Sequence, residues 1–309
     1  MLRYIAVRAM QGVIVLFLIS VATFGLMHAA PGSPVDLLTG QGNVTQQTRY
    51  NIARRWGFDK PVAEQYLIWL KNVASGNLGQ SVIRNGTPVT QMLREAIPYT
   101  LLLTTVAVAL SIVIAIPLGI LAAFRRNSWL DYLTTATSTL GIAVPNYWVG
   151  ILLIILFAST LGWLPTYGAS QGWKSLILPV AVLAFEEMAG LLRITRGATL
   201  EALSQDHVQT ARAKGLRESV VMARHVVRNA MLPIVTVLGY RIAFILSGTI
   251  VIETVFAWPG IGQLFSSSLI NLDYQVVQGI VMLFALLVVV GNLLTDLTYA
   301  VIDPRIRLT

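Results

Sequence analysis

Cysteine is missing from all 309 residues of the chain. Its absence excludes disulfide bonds, thiolate zinc sites, cysteine-ligated iron–sulfur clusters and cysteine nucleophiles. Charge is also scarce, because Asp, Glu, Lys and Arg make up 12% of the residues against about 25% in ordinary soluble domains. The apolar fraction is 55% and the mean hydropathy is +0.70. Too few charges remain to coat a soluble globule of this size, so the composition predicts that lipid covers part of the surface.

Motifs of several enzyme classes are missing as well. The sequence has no Gly-x-x-x-x-Gly-Lys-Ser/Thr loop to hold a nucleotide phosphate, no Gly-x-Ser-x-Gly elbow and no paired-histidine metalloprotease motif. The three histidines, His28, His207 and His225, are dispersed and lack the spacing of metal ligands. We therefore expect no catalytic residues, no metal site and no cofactor bound by this chain itself.

Long apolar runs are what the sequence has instead. A helix needs about 20 residues to cross the roughly 30 Å hydrocarbon layer, and six stretches satisfy this: 9–30, 99–124, 132–160, 176–200, 231–257 and 276–302. The alternating pattern of a barrel strand does not occur in them. The fold class is therefore an all-α membrane protein with six transmembrane helices. Pro117, Pro145 and Pro179 lie inside spans and are compatible either with simple kinks or with breaks that line a path.

Basic residues next to the spans predict the orientation. Arg3, Arg8, Arg125, Arg126, Arg305 and Arg307 lie on one side, whereas the opposite short loops contain only Lys174. Because cytoplasmic loops carry the excess of Lys and Arg, both termini are expected in the cytoplasm. The net charge of +8 then reflects cytosolic flanking charge rather than nucleic-acid binding. Residues 1–30 look like a secretion signal, but the long apolar core and Pro31 favour an uncleaved first span.

These spans divide the chain into three parts. Residues 1–30 form the N-terminus and first helix, residues 31–98 a small extracytoplasmic cap, and residues 99–309 a five-helix core with a cytoplasmic loop at 193–230. The cap is interpreted equally well as a lid on the bundle and as a docking surface.

The loop at 193–230 is predicted to contain two helical pieces. One helix is expected to leave the membrane and run through residues 199–214 until Gly215, since glycine alone adopts positive φ without steric cost. A second, amphipathic piece should place Leu216, Val220, Ala223 and Val227 on one apolar face. A short surface helix between two rigid spans would let a cytosolic partner move both spans together.

Several motifs in and around this loop are similar to those of a known family. They are residues 209–216 (QTARAKGL), 224–233 (RHVVRNAMLP), 31–34 (PGSP), 57–61 (GFDKP), 76–81 (GNLGQS), 162–165 (GWLP), 256–262 (FAWPGIG), 273–274 (DY) and 303–307 (DPRIR). Together they resemble the permease subunits of binding-protein-dependent ABC importers, in the dipeptide/oligopeptide/nickel branch. One departure is that the acidic residue beginning the general importer pattern is replaced by Gln209.

The resemblance implies a type I ABC importer permease fold with an extracytoplasmic cap after the first helix, in a bacterial cytoplasmic membrane. It implies a second homologous permease, two ATP-binding subunits that hold ATP and Mg²⁺, and an extracytoplasmic substrate-binding protein. The chain would be a non-catalytic subunit of this complex. The surface that couples it to the ATPase would comprise Gln209, Ala211, Arg212, Lys214, Gly215, Leu216 and Arg217.

Three charged residues lie near the middle of predicted spans, where burial in lipid costs a few kcal/mol each. Glu186 and Glu187 lie near mid-depth of the fourth span and Arg241 near mid-depth of the fifth. Consecutive residues of a helix point about 100° apart, so both glutamates cannot easily reach one arginine. One hypothesis pairs one glutamate with Arg241 and turns the other toward the translocation pathway, to meet a cationic group of the substrate. The alternative is a structural charge cluster facing the partner permease.

Di- and oligopeptides are the expected substrates. The family resemblance leaves nickel, opine-type metallophores and glutathione-like compounds as alternatives. A self-sufficient secondary carrier would favour internal inverted repeats, which the sequence does not display. A non-transporting scaffold would not need carboxylates inside its spans.

Overall fold

The computed structural model describes the backbone of residues 2–29, 47, 50, 54, 59–243 and 249–302, and within these the side chains of 6–29, 47, 50, 54, 59–238 and 249–293. The helices are α1 Leu2–Ala29, α2 Val62–Ala74, α3 Val89–Phe124, α4 Trp129–Ala143, α5 Asn146–Leu153, α6 Trp173–Leu203, α7 Asp206–Ala213, α8 Glu218–Val220, α9 Arg228–Ala243, α10 Ile250–Val255, α11 Ile261–Ile270 and α12 Tyr274–Ile302. Two π-helices extend them: π1 Ile154–Thr160 follows α5, and π2 Val221–Val227 joins α8 to α9.

Five helical segments are long and apolar enough to cross a membrane. They are Ala6–Ala29, Val89–Phe124, Trp173–Leu203, Glu218–Leu238 and Tyr274–Leu293. The fifth predicted span, 231–257, is displaced: its apolar helix begins at Glu218, and α10 is a separate helix beyond residues 244–248, which lie outside the described residues. Likewise, α3 begins at Val89 rather than at residue 99, so the last residues assigned to the cap are helical.

The third predicted span, 132–160, contains a break at Pro145 and not a simple kink. Helix α4 and the α5–π1 helix meet at a 101° bend, as a broken span or a re-entrant loop. Pro145 causes the break, because proline lacks an N–H and forces the preceding residue out of the helical region. Accordingly, Val144 is extended, with φ −91° and ψ 126°. Pro117 and Pro179 lie inside uninterrupted helices, so a break occurs at only one of these three prolines.

The described residues within 1–99 and 260–309 form one compact unit. In it α1 packs against α12 so closely that a Cβ atom on Gly12 would lie 2.6 Å from Val289 Cγ1. Helix α2 lies against the C-terminal part of α1, where Phe24 contacts the rings of Tyr66 and Trp69. The loop after α2 is anchored by the buried Asp273, whose carboxylate accepts hydrogen bonds from the Ser81 hydroxyl and the Val82 amide.

Residues 100–259 form the second unit. Helix α6 packs against α4, α5, α9, α10 and π2. Glycines allow the closest crossings, since a Cβ on Gly141 would lie 2.6 Å from Ala189 Cβ, and one on Gly119 would lie 2.8 Å from Thr195 Cβ. Small residues of this kind let helix backbones approach in membranes. The carboxylate of the fully buried Glu253 accepts hydrogen bonds from the hydroxyls of Thr100 (2.7 Å) and Thr249 (2.8 Å).

Candidate functional site: an elbow between two candidate spans

The elbow, residues 204–217, connects the candidate span that ends at Leu203 to the one that begins at Glu218. The prediction of a continuous helix through 199–214 is wrong, because the chain leaves the helix at Gln205, with φ −73° and ψ 144°. The Ser204 hydroxyl donates to the Glu201 carbonyl at 2.8 Å, which competes with continuation of the helix. Asp206 then starts α7, where its charge suits the helix N-terminus.

Gly215 ends α7 in a left-handed conformation, with φ +74°, which confirms the predicted role of this glycine as the turn residue. The Gly215 amide donates to the Arg212 carbonyl at 2.9 Å and the Leu216 amide to the Ala211 carbonyl at 3.4 Å. This pair of bonds is the Schellman motif that closes a helix C-terminus. Within this chain, open space surrounds the position that a Cβ would occupy, so the backbone conformation and not packing favours glycine here.

The underside of the elbow is a small hydrophobic core. Buried side chains from α6, α7, π2 and α9 meet in it: Ala202, Val208, Ala211, Val221, Val226 and Ala230. A polar tether lies beside this core, since Asn229 Nδ2 donates to His207 Nε2 at 2.9 Å and to the His225 carbonyl at 2.8 Å. Packing and tether together hold α7 against π2 and α9 as one rigid piece.

The side of the second helical piece that packs on the core is not the predicted apolar face. Leu216, Val220 and Ala223 are exposed, whereas Val221 and Val226 are fully buried. The cause is π2, because i→i+5 bonding widens the helix and brings residues five apart onto one side. A period of 3.6 residues, which the sequence reading assumed, does not apply to this segment.

The outer side of the elbow is polar. Of the predicted coupling residues, Gln209, Arg212, Lys214, Gly215, Leu216 and Arg217 are exposed, and Ala211 is buried in the core beneath. Arg212 and Glu218 face each other across the turn, with Nη2 and Oε1 2.6 Å apart. The hydrogen bond to the Glu218 carboxylate raises the pKa of the Arg212 guanidinium above its ordinary value. The elbow therefore presents a fixed array of charges on a packed base.

A second polar feature lies at the bend after α4. Asn146, the first residue of α5, donates from Nδ2 to Glu186 Oε2 on α6 at 2.6 Å. Glu186 is exposed within the isolated chain and Glu187 is half-buried. The predicted pairing of a glutamate with Arg241 stays untested, because the Arg241 side chain lies outside the described residues. Sequence reasoning missed Asn146, although its position after a mid-span proline was the available signal.

An ion pair between α4 and α6 was also missed. Arg196, read from the sequence only as flanking charge, holds Asp131 through Nε–Oδ1 (2.5 Å) and Nη2–Oδ2 (3.0 Å) bonds. The Asp131 carboxylate, 4% exposed, also accepts from the Asn127 amide at 3.0 Å. The spacing of Ser128 and Asp131 indicated only a helix N-terminus, where the Ser128 hydroxyl accepts from the Asp131 amide, and no sequence signal indicated the pairing with Arg196.

Comparisons with known proteins agree with this architecture. Residues 1–104 match the family described as the N-terminal part of a binding-protein-dependent transport system membrane component, and residues 115–308 match the binding-protein-dependent transport system inner membrane component. The oligopeptide transport system permease protein AppB of Bacillus subtilis is 41% identical over 99% of this chain and 100% of its own length. The glutathione transport system permease protein GsiC of Escherichia coli is 38% identical over 99% of each chain.

A solved structure shares the fold. A chain of the inward-facing MetNI methionine ABC transporter superposes with a TM-score of 0.57 at 18% identity, over 69% of this chain and 97% of that chain. At this identity the likeness concerns the fold, which is that of type I ABC importer permeases. Two family matches that together span nearly the whole sequence, relatives of equal length and this shared fold lead to one assignment. The chain belongs to the family of inner membrane components of binding-protein-dependent transport systems.

Proposed function

We propose that this chain is one of two permease subunits of an ATP-driven peptide importer. In this complex a second homologous permease completes the pathway, two ATP-binding subunits hold ATP and Mg²⁺, and an extracytoplasmic binding protein delivers the substrate. The relatives named as oligopeptide and peptide permeases, at 38–41% identity over nearly the full chain, support peptides as the substrate class. Nickel and metallophores have no such support among these relatives.

The elbow is proposed as the surface that couples the permease to the ATPase. The observation that carries this assignment is its construction: a short helix, fixed by a core beneath it, joins the ends of two candidate spans. A rigid connection of this kind transmits a displacement to both spans instead of absorbing it. Arg212, Lys214, Leu216 and Arg217 would contact the ATPase, Gln209 would flank them, Gly215 would set the angle and Ala211 would hold the helix from below.

The bend at Pro145 is proposed as part of the translocation pathway. Glu186 lies there, hydrogen-bonded to the first residue of the α5 segment, and a carboxylate at this point would attract the cationic amino terminus of a peptide. Glu187 and Arg241 are proposed as its neighbours in the pathway. Non-helical backbone at membrane depth is tolerated where it lines a cavity or is covered by protein, which supports this location.

The proposed orientation has both termini and the elbow in the cytoplasm and the cap, residues 31–98, outside. The basic residues concentrated near the elbow and the termini support this orientation. The cytoplasmic membrane of a bacterium is the corresponding location.

Reconstitution of the complete importer tests the proposed function. Proteoliposomes that contain the permease pair, ATPase subunits and binding protein should accumulate a labelled dipeptide or oligopeptide only when ATP is supplied on the ATPase side. The same vesicles should not accumulate nickel ions. Uptake by this chain without ATPase subunits would contradict the proposal, since that is the behaviour of a secondary carrier.

Glutathione is a second candidate substrate, favoured by the relative named as a glutathione permease. Because glutathione is itself a tripeptide with a free amino group, the Glu186 carboxylate would attract that group as well. In the reconstituted importer, competition by excess glutathione against labelled dipeptide distinguishes the two. Strong inhibition by glutathione, with weak inhibition by unlabelled peptides, would favour the glutathione assignment.

Replacing Glu186 with glutamine should weaken the recognition of peptides that have a free amino terminus. A hydrogen bond to a charged group contributes up to a few kcal/mol, so we expect KM for uptake to rise about tenfold while kcat changes little. N-acetylated peptides should be unaffected, because they lack the ammonium group. Glu201→Gln makes the same charge change at the end of the same helix. It should leave KM unchanged for free and for N-acetylated peptides. An equal rise for acetylated and free peptides would contradict a role in amino-group recognition.

A further inference from the structure

The side-chain amide of Asn146 has an acceptor that its hydrogen bond to Glu186 leaves unused. A carboxylate only accepts hydrogen bonds, so the amide nitrogen, Nδ2, is the atom that faces Glu186 Oε2 at 2.6 Å. The carbonyl oxygen, Oδ1, therefore remains as an acceptor. Within the described part of the chain, neither this oxygen nor Glu186 Oε1 has a hydrogen-bond partner. Two acceptors thus remain beside one hydrogen bond.

Both acceptors are accessible in the isolated chain. Glu186 is exposed and Asn146 is half-buried. Among the described residues, the buried side-chain polar atoms without a partner are Trp69 Nε1, Thr195 Oγ1 and Ser268 Oγ, so the Asn146 oxygen is not one of them. Each acceptor is bonded to the same carbon as an atom of the 2.6 Å bond, which keeps both in one small region of the surface. A group with several donors suits such a region.

The bend at Pro145 does not depend on the Asn146–Glu186 hydrogen bond. Helix α4 packs so closely on α6 that a Cβ on Gly141 would lie 2.6 Å from Ala189 Cβ. Helix α5 packs beside the end of α10, where a Cβ on Gly150 would lie 3.2 Å from Phe256 Cε2. These contacts hold both helices that meet at the bend. A polar pair that the packing does not require favours a role in binding.

We propose that Asn146 is the second acceptor for the amino terminus of a transported peptide, an inference that rests on the proposed role of Glu186 in the pathway. One N–H of the ammonium group donates to Glu186 Oε1 and another donates to Asn146 Oδ1. A primary ammonium group has three N–H donors, so it satisfies both acceptors. Donation from the amide nitrogen to a carboxylate also polarises the amide and strengthens its oxygen as an acceptor. The pair therefore selects for the N–H donors of the amino terminus as well as for its charge.

Binding of two labelled dipeptides to the permease–ATPase complex tests the inference. The complex is measured by equilibrium dialysis without the binding protein, so that the preferences of that protein do not enter. One dipeptide has a free amino terminus. The other is the same dipeptide with a trimethylated amino terminus, which keeps the positive charge but has no N–H donor.

Three variants separate the possible roles of Asn146. Asn146→Leu removes the acceptor with the same number of side-chain heavy atoms. Asn146→Asp keeps an oxygen acceptor at the same place but removes the N–H donor. Asn271→Leu makes the first substitution at an exposed asparagine that follows α11 and is the matched control. Equal unfolding temperatures and copurification of the second permease establish that each variant folds and assembles.

We expect Asn146→Leu to raise Kd for the free dipeptide about tenfold, since a hydrogen bond to a charged group contributes about that factor. The same variant should leave Kd for the trimethylated dipeptide unchanged, because that group donates nothing to the lost oxygen. Asn146→Asp should bind the free dipeptide nearly as well as the wild type, and Asn271→Leu should match the wild type for both. Glu186→Gln should weaken both dipeptides, because it removes the charge that attracts them.

The outcomes distinguish a failure of this inference from a failure of the proposed site. If Asn146→Leu weakened both dipeptides equally, Asn146 would act only through the structure. If Asn146→Asp were as weak as Asn146→Leu, Asn146 would act only as a donor to Glu186. Either result would overturn the inference and leave the role of Glu186 intact. No binding to the wild type, or no effect of Glu186→Gln on either dipeptide, would contradict the proposed site and the inference with it.

Discussion

Replacing Asp131 with alanine is expected to lower the free energy of unfolding by about 3 kcal/mol. The loss of the carboxylate leaves the half-buried Arg196 guanidinium without its two bonds and leaves the Asn127 amide without its acceptor. Breaking a buried pair by removing one partner is costly because the remaining charge stays out of water. Reversible denaturation of the purified chain in detergent–lipid micelles measures the change.

Two further variants show whether the pairing itself is responsible. The double variant Asp131→Leu with Arg196→Met should recover much of the lost stability, since apolar replacement of a buried pair is often neutral. Glu64→Ala breaks the Lys60–Glu64 pair at the start of α2, whose side chains are 42% and 50% exposed, and should change stability little. If Asp131→Ala and Glu64→Ala were equally mild, the pair would not tie α4 to α6.

Replacing Gly215 with valine is expected to reduce ATP-driven uptake by the reconstituted importer more than tenfold while ATP hydrolysis continues. A β-branched residue at φ +74° is strained by roughly 1–3 kcal/mol, so the Schellman turn would open and the angle of the elbow would change. Since no atom of this chain beyond the adjacent residues lies within 4 Å of the Cβ position, we expect the effect to arise from the backbone conformation and not from a clash within the chain. Uptake and phosphate release, measured on the same vesicles, separate coupling from hydrolysis.

Asparagine provides the matched substitution at position 215. Asparagine tolerates the left-handed conformation better than other residues and is found at this position of helix C-terminal caps. Gly215→Asn should therefore retain most of the uptake that Gly215→Val loses. If both variants were equally inactive, coupling would require the absence of any side chain at position 215. If both were fully active, the angle of the elbow would not matter for coupling.

Much of the fold could be predicted because membrane spans are recognised from the length and apolar composition of a segment alone. Five candidate spans follow from such runs, and the turn at Gly215 follows from the φ that glycine permits. The π-helix at 221–227 could not be predicted, since its sequence fits an ordinary helical period until the side chains pack. Similarly, the sequence identified Pro145 as a point where a kink or a break occurs, but the 101° bend depends on what α4 and α5 pack against.

Part of the candidate site could also be predicted, because that part depends on local sequence alone. Residues of the elbow are contiguous, so one motif identified them, although the burial of Ala211 required the tertiary core. Asp131 and Arg196 are 65 residues apart, and Asn146 and Glu186 are 40 apart. Pairs at such separations are set by how helices cross, which the sequence pattern does not specify.

Single-cysteine cross-linking tests the central claim that the elbow contacts the ATPase in the cytoplasm. Because the natural chain has no cysteine, Leu216→Cys and Tyr167→Cys each introduce the sole thiol, at positions that are 42% and 71% exposed. In the assembled importer, Leu216→Cys should cross-link to an ATP-binding subunit and resist a membrane-impermeant maleimide added outside intact cells. Tyr167→Cys should react with that maleimide and form no such cross-link. Labelling of Leu216→Cys from outside, with no cross-link to an ATP-binding subunit, would contradict the account.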